Sequence, residues 1–150
     1  MTLTPQRLRR LVKQRERLEK LQEGELAEAL RLYRRREDAL NESKANREAL
    51  LDGPSTGGAV DLADLLAAGE YLRRVDREIV ARGAALQHSA NDVEEERAEL
   101  MVRRRDRKAM EALLDKRLEE ERIKRARAEL RLIDELATTR WRPAKPGGRP

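Results

Sequence analysis

Apolar residues recur along this chain at steps of three and four, the spacing that places them on one face of an α-helix. Leu8, Leu11, Leu18 and Leu21 form a first stripe. A second run follows at positions 26, 30, 33, 37, 40, 44, 47 and 51, where the steps alternate four and three, as in a coiled coil. Leu26, Leu30, Tyr33, Leu40 and Leu51 occupy it, and Glu37, Lys44 and Arg47 interrupt it. The two runs are out of phase around Gln22-Glu23-Gly24, which predicts a stutter where a supercoil unwinds. Gly24 should weaken the helix there by roughly 1 kcal/mol relative to Ala.

A later run occupies positions 65, 69, 72, 76, 79, 83, 86, 90, 93, 97 and 100. Leu65, Leu72, Ile79, Leu86, Val93 and Leu100 make one large apolar column, and Gly69, Asp76, Gly83, Ala90 and Arg97 make a small or polar one. Beyond Leu100 the heptad phase is lost, although Met110, Leu113, Leu114, Leu118, Ile123, Leu130, Ile133 and Leu136 remain amphipathic. Between the runs, Gly53 and Pro54 end a helix: glycine accepts a left-handed cap, and proline cannot continue the hydrogen-bond ladder. Thr4 followed by Pro5 suits a helix start, as do Asp61 and Asp64.

These signals divide the chain into a first coiled-coil helix over 4–51, a Gly/Pro connector over 52–60, a second long helix over 61–140 and a basic tail over 141–150, expected to be disordered. The predicted fold is all-α: an antiparallel two-helix coiled-coil hairpin with a longer, overhanging second helix. At 1.5 Å per residue the arms reach about 72 Å and about 120 Å. If pairing begins at the connector, Thr4 falls near residue ~108, and residues ~110–140 overhang with an apolar stripe still on them.

Composition sharpens this picture. Charged residues make up 42% of the 150 and aromatics 2%, with no Phe, so an ordinary compact core is excluded. Cysteine is absent, which removes disulfides and thiolate metal sites. No apolar run approaches the ~20 residues that span a bilayer, and the first residues lack a signal-peptide stretch. A cytoplasmic protein is expected. Residues 4–51 carry 13 basic and 9 acidic side chains, and residues 61–140 carry 18 and 19. The arms thus have opposite net charge, which weakly favours pairing and tunes register more than stability.

Candidate chemistry is thin. His88 is the only histidine and has no nucleophile spaced for catalysis beside it. Gly57-Gly58 lacks the Lys-Ser/Thr of a phosphate loop. Glu94-Glu95-Glu96 and Glu119-Glu120-Glu121 fit solvated helix faces better than a metal site, because consecutive helix residues do not converge. The clusters Arg103-Arg104-Arg105-Asp106-Arg107-Lys108, Arg34-Arg35-Arg36 and Arg7, Arg9, Arg10 are embedded in acidic residues without stacking aromatics, so no specific nucleic-acid binding is expected. No catalytic residue, metal or cofactor is expected.

The segment Met101-Val-Arg-Arg-Arg-Asp-Arg-Lys-Ala-Met-Glu-Ala-Leu-Leu-Asp-Lys-Arg117, continuing to Leu132-Ile133-Asp134-Glu135-Leu136-Ala137 with Arg140, resembles the FliJ family of flagellar export proteins. That resemblance implies a cytoplasmic, non-enzymatic component of the flagellar type III export apparatus, peripherally associated with the inner membrane. It implies a hairpin similar to the central stalk of rotary ATPases. Its implied partners are the hexameric export ATPase, whose ring assembly and activity it promotes, the cytoplasmic domain of the export gate FlhA, and export chaperones. Tyr71, Val75 and Arg82 fall near the implied gate contact. Ile133, Asp134, Leu136 and Arg140 are the candidates for the ATPase contact, and Trp141 could anchor a partner or cap the helix. Two readings stay open beside it: an injectisome stalk protein and a generic coiled-coil scaffold dimer.

Overall fold

A computed structural model describes residues 3–53, 58–59 and 61–141. Pro54, Gly57 and the tail from Arg142 onward, which figured in the expectations for the connector and the terminus, lie outside the described residues. Two helices make up the fold, α1 over Pro5–Leu51 and α2 over Leu62–Arg140, and they pack against each other. No strand occurs among the described residues.

Each helix starts where its side chains can satisfy free amides. The Thr4 hydroxyl accepts from the Arg7 amide at 3.4 Å, and Pro5 occupies the first helical position. The Asp61 carboxylate accepts from the Ala63 amide at 3.3 Å, and Asp64 lies in the first turn of α2. Arg140 closes the last turn, where a cation suits the negative end of the helix dipole.

The chain divides into two compact units, Arg17–Arg105 and Met1–Glu16 with Asp106–Pro150. In Arg17–Arg105, one row of buried and half-buried side chains runs along α1 at 19, 22, 26, 29, 33, 36, 40, 43 and 47. Another runs along α2 at 75, 79, 82, 86, 89, 93, 96, 100 and 103. Both series step by three and four without a break. The expected stutter at Gln22-Glu23-Gly24 is therefore absent. Gln22 is itself a seam residue, buried at 6% exposure, whereas Leu21 is 67% exposed. Polar residues sit at seam positions and leucines sit outside them, so counting apolar residues produced a false phase change.

In α2, Ile79, Leu86, Val93 and Leu100 line the seam together with Val75, Arg82, Ser89 and Glu96; of the expected second column, Asp76, Gly83 and Ala90 are half-buried beside it and Arg97 is exposed. Among the described residues, the buried ones are polar at Glu19, Gln22, Ser43 and Ser89 and apolar at Leu8, Val12, Leu40, Val75, Val93 and Leu100.

Register within this unit follows from the cross-helix bonds. Arg47 Nε donates to Asp76 Oδ1 at 2.6 Å, and Arg104 lies 3.4 Å from Glu19 and 3.5 Å from Glu23. Gln22 donates to the Glu96 carbonyl at 3.2 Å and also to its carboxylate. One further turn of α1 brings Leu51 level with Leu72. Residues 62–71 of α2 thus run past the end of α1, and all but Gly69 are exposed.

In the second unit, Pro5, Leu8, Val12 and Arg15 of α1 face 107, 110, 114, 117 and 121 of α2. Leu8 is fully buried, and Arg15 lies 3.6 Å from Asp106. The four-three spacing therefore returns beyond Leu100, where it was expected to be lost. Thr4, Pro5, Gln6 and Arg9 line an open cleft with Leu118, Glu121, Arg122, Arg125, Ala126 and Glu129. Thr4 thus lies beside residues 118–129, not near residue 108. The expected register assumed that α2 pairs from its first residue, whereas its first turns pass the end of α1. The unpaired C-terminal stretch begins after Glu121, not at residue 110.

Candidate partner-binding surfaces

Two reciprocal clamps hold the middle of the seam. Arg36 Nη1 of α1 donates to the Ala85 carbonyl at 3.0 Å and to Ser89 Oγ at 2.7 Å on α2. Arg82 Nη1 of α2 donates to the Ala39 carbonyl at 2.7 Å and to Ser43 Oγ at 2.6 Å on α1. The reason is legible in the chain. Arg36-x-x-Ala39-Leu40-x-x-Ser43 and Arg82-x-x-Ala85-Leu86-x-x-Ser89 are the same eight-residue pattern on two antiparallel helices. Antiparallel pairing relates them by a local twofold, so each arginine finds the same alanine carbonyl and serine on the other arm. Alanine leaves the carbonyl reachable, and serine is small enough to be almost fully buried. This repeat was visible in the sequence and was missed, because attention to apolar spacing passed over a motif whose contacts are polar.

The residues expected at the gate contact divide accordingly. Tyr71 is 46% exposed on the part of α2 that passes α1. Val75 is buried in the seam at 4% exposure. Arg82 is half-buried, engaged in its clamp, and 3.3 Å from Glu78. Tyr71 alone of the three is presented; Val75 and Arg82 hold the helix that presents it. Leu50, Leu51, Leu62, Leu65 and Leu66 are also exposed in this region.

At the other expected contact, Ile133 and Leu136 are 58% and 52% exposed, and Trp141 is 75% exposed. Asp134 and Arg140 are exposed beside them. At 100° per residue the exposed apolar side chains cover one broad arc of about 180°, running from Leu132 through Leu136, Ile133 and Leu130 to Ile123. A surface helix of a globular protein turns its apolar stripe to the core; this arc is left exposed.

Several charges along α2 are paired within the helix. Arg97 bonds Glu94 at 2.7 Å, Arg107 bonds Glu111 at 2.8 Å, and Arg117 bonds Glu120 at 3.0 Å. The Arg122 guanidinium grips Glu119 with two hydrogen bonds, of 2.8 and 2.7 Å. That bond holds the Glu119 carboxyl below its ordinary value and raises Arg122, on a fully exposed surface. The glutamate clusters thus serve local ion pairs, each modest at an exposed site. His88 is exposed, with its Nε2 3.8 Å from Asp92 one turn on.

Two packed helices, a polar lock between them and apolar side chains left outward at both ends of α2 define a coiled-coil interaction protein. The model of the flagellar FliJ protein family matches residues 5–145, and the chain belongs to that family. It is therefore a component of flagellar type III protein export. Comparison with curated proteins and comparison with solved structures return no match. No helix among the described residues is long and apolar enough to cross a membrane.

Proposed function

We propose that the chain works as a non-catalytic stalk and escort of the export apparatus, with the C-terminal end of α2 engaging the hexameric export ATPase. The observation that carries this reading is the stretch after Glu121, where leucines and isoleucines stay exposed over about half of the helix circumference. A partner that wraps round the helix buries so wide an arc, and the central opening of a ring does so. Ile133, Asp134, Leu136 and Arg140 supply the contact, with Trp141 as an anchor at the end. The first turns of α2 contact the cytoplasmic domain of the gate, FlhA. There Tyr71 makes the contact, and Val75 and Arg82 keep its helix in place. Export chaperones are further partners, and the chain sits peripherally at the inner membrane through these contacts.

Binding separates the two ends. The full chain should co-elute with its cognate ATPase and with the gate's cytoplasmic domain. Ile133→Asp with Leu136→Asp should abolish only the first complex, and Tyr71→Ala should weaken only the second by about tenfold, about 1.4 kcal/mol. Loss of both complexes by either variant, or of neither, would remove the assignment of separate ends.

A further inference from the structure

On the side of α2 turned away from α1, Leu62, Leu66, Gly69, Arg73, Arg77 and Val80 follow one another at steps of four and three. Leu62 is 69% exposed, Leu66 64% and Val80 73%. A Cβ at Gly69 would meet no atom within 4 Å, so packing inside the chain does not call for a glycine there. A mid-helix glycine weakens a helix relative to alanine. Two of the carboxylates near the arginines are already engaged: Asp76 by Arg47 and Glu78 by Arg82. Glu70, Arg73, Arg74 and Arg77 have no ionic partner among the described residues.

Single exposed apolar residues need no explanation. The order of these does, because the stripe is complementary to itself. Laid antiparallel against a second copy, Leu62 meets Val80 and Leu66 meets the alkyl stem of Arg77. Glu70 meets Arg73 and Arg74, and Gly69 lies beside the twofold axis, where a missing Cβ lets the backbones approach. We propose that this outward stripe, residues 62–80, is a homodimer contact in which two copies of α2 cross antiparallel about a twofold near residue 71. Such a contact is isologous and closes on itself. It leaves Tyr71 on the flank of α2 away from the second copy, and it does not draw on the C-terminal end assigned to the ATPase. A stripe about 27 Å long falls at the small end of specific interfaces, so the dimer is weak and forms at tens of micromolar.

Sedimentation velocity on the full chain, from about 5 to about 200 µM, tests it. The expected result is a monomer–dimer equilibrium with a Kd of about 10–100 µM. Leu66→Glu and Glu70→Arg should each weaken it about tenfold or more, with helicity by circular dichroism unchanged. Glu70→Arg combined with Arg73→Glu in the same chain should restore association, since both pairs across the axis are then rebuilt with reversed sense. A monomer throughout the range overturns the proposal. So does a dimer that both single variants leave intact, or one that the charge-reversed pair fails to rescue. A monomeric chain that uses this stripe to bind a different partner overturns it as well.

Discussion

Arg36 and Arg82 each span from one helix to a serine hydroxyl and a carbonyl of the other. Removing one guanidinium leaves a buried serine, which can turn back to its own helix carbonyl and soften the loss. Arg82→Ala should therefore cost about 1–2 kcal/mol, read from the urea midpoint. In a double-mutant cycle, Arg36 and Ser89 should couple by about 0.5–1 kcal/mol, and non-contacting Arg36 and Glu94 should not. Gly24 offers the opposite case. It lies in unbroken helix with nothing within 4 Å of its Cβ position, so Gly24→Ala should stabilise by about 1 kcal/mol in the same assay. Glu119 provides a titration. Its carboxyl is lowered by the bond from Arg122, so the pair's small contribution is present above the ordinary glutamate value and is lost as pH falls through the lowered one. An NMR titration should show Glu119 ionising below ordinary glutamates, and Arg122→Gln should return it to them. Residue identity alone pointed to Thr4 and Asp61 as helix starts, because their chemistry is local. It did not expose the clamps, whose meaning depends on a partner dozens of positions away.

At the level of the helices, helix type was readable because leucine and alanine dominate and recur with helical spacing. The seam was harder. Glu19, Gln22, Arg36 and Ser43 fill inward positions of α1, so a count of apolar residues selected Leu21, which is 67% exposed, and passed over Gln22, which is 6% exposed. Paired substitutions separate the two descriptions of α1. Leu8→Ala removes a fully buried side chain and should cost about 2–3 kcal/mol. Leu21→Ala should stay within about 0.5 kcal/mol, although both leucines belong to the stripe read from the sequence. Register was the other hidden quantity. Connector length sets how closely the two helices can begin, and it does not require them to pair from their first residues. Cross-helix bonds such as Arg47 to Asp76 decide that, and they place the first turns of α2 beyond α1.

For the molecule as a whole, the family was legible in the C-terminal part of α2. Leu132-Ile133-Asp134-Glu135-Leu136-Ala137 keeps its leucines and isoleucine outward, with nothing of the described chain packed on them. Sequence spacing found that stripe; showing that the paired region runs as far as Glu121 required the register between the helices. Of the residues proposed for the gate, Val75 and Arg82 share a face with Tyr71, and only the register shows that they pack in the seam while Tyr71 lies past the end of α1. The decisive measurement is turnover of the cognate export ATPase with the full chain added, compared with the chain carrying Ile133→Asp and Leu136→Asp. The full chain should raise turnover several-fold, and the substituted chain, still folded and still bound to the gate, should leave it at the basal rate. Equal stimulation by both chains, or none by the full chain, would contradict the assignment of the ATPase contact to the end of α2.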